Sequence, residues 1–225
     1  MLFRSLYALE KFTKLVPEKD QLDFADILKD VREGVVRVSQ IVIDLRKFAH
    51  DDKVTSGDAD LAEIVSRSRR MVGHQVGTEI DFNLKSPSDA VIRGNANQLV
   101  QVFINFFQNS IDAIHTRIAD HGGEKGQIDV TIDPAGEGWQ VTIRDNGIGI
   151  PPENLPQIFD PFFTSKDVGK GMGLGLSITH QILQSHRAIV EVDSRPCEYT
   201  RFRIVFPTVS LTAALALESV LDQSA

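Results

Sequence analysis

The sequence predicts a two-layer α/β sandwich preceded by an α-helical hairpin. Three observations lead there: a 3.5-residue apolar period between Phe24 and Ala49, strict apolar/polar alternation in several later segments, and helix-period stretches mixed among them without regular β-α-β repetition. A hydrophobic share of 42% with 24% charged residues is that of an ordinary folding chain, and 225 residues allow one full domain plus an appendage. The net charge of −7 argues against nucleic acid as the main partner, because a phosphate-tracking surface leaves a basic balance. A single cysteine, Cys197, forms no internal disulfide, and Met1 opens no signal-peptide pattern. No apolar run approaches the roughly 18 residues that span a bilayer. A cytoplasmic setting without direct membrane contact from this chain is therefore expected, either alone or as one part of something anchored elsewhere.

In chain order, Leu2, Leu6, Leu9 and Val16 give a first helix a short stripe, and Pro17 ends it. Phe24, Leu28, Val31, Val35, Val38, Val42, Leu45 and Ala49 then recur at steps of four and three, the narrow seam of a self-associating hairpin. Charge, Ser and Gly from Asp51 to Asp58 read as a linker. Asp60 is placed to cap a helix running to about Val72. Ile80, Phe82 and Leu84 alternate as a half-buried strand, and Val91 and Ile92 suggest another. Leu99, Val102, Phe103, Phe106 and Ile111 line a long helix from Asn95 to Ile118. Ile128, Val130 and Ile132, a turn at 134–138, then Val141 and Ile143 form a hairpin. A helix over Leu174–Ser185 and strands over Ile189–Val192 and Phe202–Phe206 follow. The domains are expected at 1–56, 57–208 and 209–225, the last a tail or linker.

Three segments carry chemistry. Asn105 and Asn109 lie four apart on one helical face, where amide oxygens can converge on a hard cation and its waters. Asp145-Asn146-Gly147-Ile148-Gly149-Ile150-Pro151 follows a strand directly. It sets a carboxylate beside backbone that turns sharply and admits a flat ligand, for which a purine amino group is a natural donor; a tight Asx turn is the plainer reading. Gly169, Gly171, Gly173 and Gly175 alternate and open a helix near Leu174, an arrangement of N–H groups and helix dipole suited to polyphosphate. The loop matches neither the Walker nor the dinucleotide glycine pattern.

The order of the Asn helix, D-N-G-I-G-I-P, I-F-D-P-F-F-T-S-K and G-K-G-M-G-L-G-L-S resembles the ATP-binding domain of sensor histidine kinases, in the group shared with gyrase, Hsp90 and MutL. The resemblance spans about Leu61 to Pro207. Asp44-Leu45-Arg46-Lys47-Phe48 also looks like the second helix of the kinases' dimerisation domain. The resemblance implies a Bergerat-type ATP-binding fold, ATP and Mg²⁺ as cofactors, and transfer of the γ-phosphoryl group to a histidine. It also implies a homodimer through the hairpin and a response regulator as partner. Carried over, Asn109 is the Mg²⁺ ligand and Asn105 its neighbour near the phosphates. Asp145 accepts from the adenine amino group, with Gly147 and Gly149 letting the base approach. Gly171, Gly173, Leu174 and Gly175 lie along the phosphates, and Thr200 puts a hydroxyl near adenine. Phe159, Phe162 and Phe163 pack under a mobile lid, from which Lys166 and Lys170 meet the γ-phosphate.

Two departures from the family stand out. Its acceptor histidine sits on the first dimerisation helix, whereas no histidine lies between Met1 and Val16. The chain is therefore expected to begin just past that box, and His50, followed by Asp51, is at the wrong end of the seam. Where the family has a Gly pair and a Gly-x-Gly-Thr, this chain reads His186-Arg187 and Cys197-Glu198-Tyr199-Thr200, so the turns are expected to differ. Cys197 is expected to be structural. The competing functional readings are a non-catalytic nucleotide-binding module that regulates a full-length kinase, and a serine kinase of the anti-sigma type.

Overall fold

The structure is a computed structural model that describes residues 16–32, 34–35, 57–87, 89–166 and 173–207. These divide into two units: 16–35 together with Lys166, and the sheet-bearing remainder.

In the first unit Pro17 starts a single turn of 3₁₀-helix, Glu18–Asp20, closed by the Asp20 N–H donating to the Pro17 carbonyl at 2.8 Å. Residues 21–32 continue as helix. Leu22 (80% exposed), Ile27 and Val31 stand open to solvent. The seam beyond Val35, the 44–48 segment, His50 and Leu2, Leu6 and Leu9 of the first helix's stripe lie outside the described residues.

The second unit is a five-stranded mixed sheet, ordered β2-β4-β5-β7-β6, with three helices on one face. Its strands are β2 (Ile80–Lys85), β4 (Gly126–Ala135), β5 (Gly138–Asp145), β6 (Ile189–Arg195) and β7 (Tyr199–Phe206). β2 runs parallel to β4, and the other neighbours are antiparallel. A separate antiparallel pair joins β1 (Gly57–Asp60) to β3 (Val91–Gly94). β1 falls where a linker was expected: Gly57-Asp58-Ala59-Asp60 carries one apolar side chain, too little for a pattern, and pairing with β3 decides its state.

Helix α1 (Leu61–Val76) starts because Asp60 accepts from the N–H groups of Ala62 and Glu63, as its position predicts. Helix α2 (Ala96–His121) is capped in the same way by Asn95. It buries Leu99, Phe103, Phe106, Phe107, Ile111 and Ile114 against the covered sheet face. Phe82 meets Phe107 edge-on at 4.9 Å, and Phe106 packs on Phe202 at 4.7 Å. The strands' period-2 pattern supplies the opposing layer: Ile128, Val130, Ile132, Val141, Ile143, Phe202, Ile204 and Phe206. The opposite sheet face is polar, with cross-strand pairs Asp193–Arg201 and Glu191–Arg203 in register.

The turns at the two departures keep the backbone that glycine normally provides. Helix α3 (Gly175–Ser185) ends in a Schellman motif: Arg187 N–H donates to the Gln184 carbonyl, Ala188 N–H to that of Leu183, and Arg187 holds φ 54°. Cys197 holds φ 60° in the β6–β7 turn, where its N–H donates to the Ile148 carbonyl at 2.7 Å. The expectation of altered turns is thus corrected: hydrogen bonding overrides the side-chain preference at both positions. The Cys197 side chain is exposed, so it fills no core position. An L-residue held left-handed costs on the order of 1 kcal/mol. Arg187→Gly and Cys197→Gly should each stabilise the protein by about that amount. Urea-denaturation midpoints that fall in both variants would refute this.

Candidate functional site

The alternation that buries Val141 and Ile143 carries on to the last residue of β5, so Asp145 points into the helix layer and is only 2% exposed. Ser110 Oγ on α2 donates to its Oδ2 at 2.8 Å, and the Gly147 N–H donates to Oδ1 at 2.9 Å. The backbone of Thr200, its partner across the β5–β7 ladder, supplies a further hydrogen bond. Burial pushes the carboxyl up to about 6, against the Ser110, Gly147 and Thr200 hydrogen bonds and the charge of Arg144, all of which pull it down. It is a carboxylate held in place by several donors yet poorly solvated.

The turn after it is fixed on three sides. Asn146 accepts from Gln127 N–H at 2.8 Å and donates to the Lys125 carbonyl, tying the turn to β4. A methyl group at Gly147 would lie 2.6 Å from Cβ of Ala113, so glycine there lets the turn lie directly on α2. Gly149 has φ 70°, and a methyl group there would lie 2.3 Å from the Arg195 carbonyl oxygen. The space saved by these two glycines is filled by protein backbone and helix. Ser194 Oγ accepts from the Ile150 N–H at 2.8 Å and lies 3.2 Å from Thr200 Oγ1, linking the turn's far end to the Thr200 hydroxyl.

Asn105 and Asn109 share one face of α2 and have different surroundings. Asn105 Nδ2 donates to the Gly175 carbonyl at 3.0 Å and to Thr179 Oγ1 at 3.2 Å, so its amide fixes the start of α3. Asn109 is half-buried, and its amide makes no hydrogen bond to another described residue. The N-cap of α3, Leu174, provides no side-chain cap, which leaves the helix's first N–H groups without one. Gly173, at φ 68°, accepts from the Phe162 N–H at 3.0 Å and has Phe163 backbone where a side chain would be. Phe159 stacks on His180 at 5.0 Å, and both Phe159 and Phe163 pack against the core. Phe162 instead is 66% exposed with φ 68°. Gly171 and Lys170 lie outside the described residues, and Lys166 is exposed and grouped with the first unit.

Comparison with known proteins decides the assignment. The family described as "Histidine kinase-, DNA gyrase B-, and HSP90-like ATPase" matches residues 94–210, from the end of β3 through β7. The chain belongs to this ATPase family. Within it the similarity runs to sensor kinases. Sporulation kinase A of Bacillus subtilis is 39% identical over 116 residues, 52% of this chain and 18% of that protein. The C4-dicarboxylate transport sensor protein DctB of Rhizobium meliloti is 32% identical over 174 residues, 76% of this chain and 27% of that protein. The chain thus spans about a quarter or less of these two relatives. The solved catalytic domain of the histidine kinase ThkA aligns with a TM-score of 0.58 at 28% identity, covering 68% of this chain and 95% of that one. The sheet-bearing unit accordingly shares the fold of that solved histidine-kinase catalytic domain, and the predicted two-layer fold is the one found. Among the described residues no helix is long and apolar enough to cross a membrane.

Sequence reasoning overlooked Ser110, Asn146 and Ser194. Ser110 left a signal: it occupies a core position of the α2 stripe, between Phe107 and Ile111, where a hydroxyl needs a partner.

Proposed function

We propose that this chain binds ATP with Mg²⁺ between α2, the Asp145–Gly149 turn and the start of α3, and transfers the γ-phosphoryl group to a histidine of a dimerisation hairpin. The observation that carries this reading is the buried, multiply bonded Asp145 carboxylate on a turn packed against the helix that bears Asn109. Asp145 orients the base by accepting from its amino group, with the Thr200 hydroxyl beside it. Asn109, whose amide is unspent, suits a hard cation, and Asn105 keeps α3 aligned so that its uncapped N–H groups face the phosphates. When bound, Mg²⁺ neutralises phosphate charge; the protein's task is otherwise positioning. Lys166, Lys170 and Gly171 enter through the family resemblance alone.

The exposed apolar residues of 21–32 suit a homodimer through the helical hairpin; we take the domains as 1–56, 57–208 and 209–225. A response regulator as the receiver rests on likeness to the ThkA complex with its response regulator protein TrrA, which shares the fold at a TM-score of 0.66 and 22% identity, covering 89% of this chain and 55% of that one. The test supplies labelled ATP, Mg²⁺ and a separate histidine-bearing hairpin. Label should reach the hairpin, and Asn109→Ala should lower the rate by about a hundredfold, as loss of a charge-positioning group does. Nucleotide binding without any transfer would favour a non-catalytic regulatory module.

A further inference from the structure

Most of the described helical hydroxyls bond a carbonyl of their own helix: Ser68 donates to Ile64, and also across to Val100, Thr116 to Asp112, Ser177 to Leu174 and Ser185 to Ile182. That back-bonding is the default for Ser and Thr in helices. Ser110, also 2% exposed, sends its hydrogen 2.8 Å across the layer to Asp145 Oδ2 instead. The remaining groups around Asp145 are the Gly147 N–H on Oδ1 and the Thr200 backbone. Ile128 on β4 is apolar, and Arg144, on the opposite face of β5, is the charged group that acts on the carboxyl.

These donors matter because a carboxyl has two ligand-facing identities. Ionised, it only accepts; protonated, it offers one O–H donor. An acceptor complements a 6-amino purine, and a donor complements a 6-oxo purine. A hydroxyl that donates to the carboxyl favours the accepting form. We propose that Ser110 is a positioning residue that holds Asp145 as an acceptor and so makes the site choose a 6-amino purine nucleotide over a 6-oxo one. This deepens the proposed ATP site and rests on it.

The experiment measures Mg-ATP and Mg-ITP affinities of the full chain, its Ser110→Ala variant and its Ser110→Thr variant from about pH 5 to pH 8. Thermal melts confirm folding; alanine is a good helix former and removes a single atom, and threonine keeps the hydroxyl. Ser110→Ala should weaken ATP about tenfold at neutral pH, in line with a lost hydrogen bond to a charged group, while ITP changes little. The pH below which ATP binding declines should move upward. Ser110→Thr should keep the ATP preference. Equal losses for both nucleotides with an unmoved pH profile would mean that Ser110 only packs, and an unchanged ATP:ITP ratio in Ser110→Ala would likewise overturn the proposal. Failure of the unmodified chain to bind either nucleotide would count against the ATP site itself and would overturn both.

Discussion

Asp145→Asn is expected to abolish measurable adenine-nucleotide binding while making the free protein harder to unfold. Both effects come from the same burial. With its Oδ1 taken by the Gly147 N–H, the asparagine turns its Nδ2 toward Ser110 Oγ, whose hydroxyl can rotate to accept. The side chain then presents a donor where the carboxylate presented an acceptor, and a purine amino group meets another donor. Such a mismatch in a buried site costs on the order of a hundredfold or more in affinity. The stability gain follows from linkage. The folded carboxyl titrates at about 6 against 3.8 for an unperturbed one. Both states are protonated well below pH 4, and there the fold bears no penalty. As pH rises from about 4 to 6 the unfolded chain ionises first, so stability falls, and above about 6 it levels off some 3 kcal/mol lower. Asparagine has no such slope. Urea melts at about pH 4 and pH 7 should therefore differ for the unmodified protein and coincide for the variant. A variant that still binds ATP, or that keeps the slope, contradicts this account.

Gly149→Ala is expected to be among the most damaging small substitutions in the unit. Its methyl group would lie 2.3 Å from the Arg195 carbonyl oxygen and 2.9 Å from Cα of Pro196, and φ 70° disfavours any side chain. Neither neighbour is the free end of a flexible side chain, so the β6–β7 turn has to shift as a piece. Overpacking plus left-handed strain amounts to about 3 kcal/mol or more. The same turn donates the Cys197 N–H to the Ile148 carbonyl and positions Ser194 against Thr200, so nucleotide affinity should fall with stability. A melting temperature equal to that of the unmodified protein would show that the turn yields more easily than its packing implies.

Most of this architecture was legible because it is written in periodicities. The alternation of Ile128, Val130 and Ile132 and the helical spacing of Phe103, Phe106 and Ile111 act over a few residues, and the cap Asp60 acts over three. The sheet's β1–β3 companion was not legible, since Gly57–Asp60 becomes a strand only through its partner. The same boundary runs through the site. Asp145 and the two asparagines announce themselves by residue type and spacing. Ser110 and Ser194 work through neighbours 35 and 44 residues away. The turns at Arg187 and Cys197 show the converse: side-chain preference argued against positive φ, and the helix-end bonds at Arg187 and the long-range bond from Cys197 to Ile148 imposed it.

The parallel pairing of β2 with β4 has a consequence for how the domain assembles. Parallel neighbours need a long crossover, and here the crossover contains β3 and α2, with Asn83 reaching Asp129 across 46 positions of chain. The hairpins β4–β5 and β6–β7 close over short distances and are free to form early, whereas this edge strand gains its ladder only after a large loop is ordered. Docking of the helix that bears the two asparagines and zipping of the sheet's outer edge therefore belong to one late cooperative event. Nascent chains that have not completed it have neither a finished edge nor a place for a ligand.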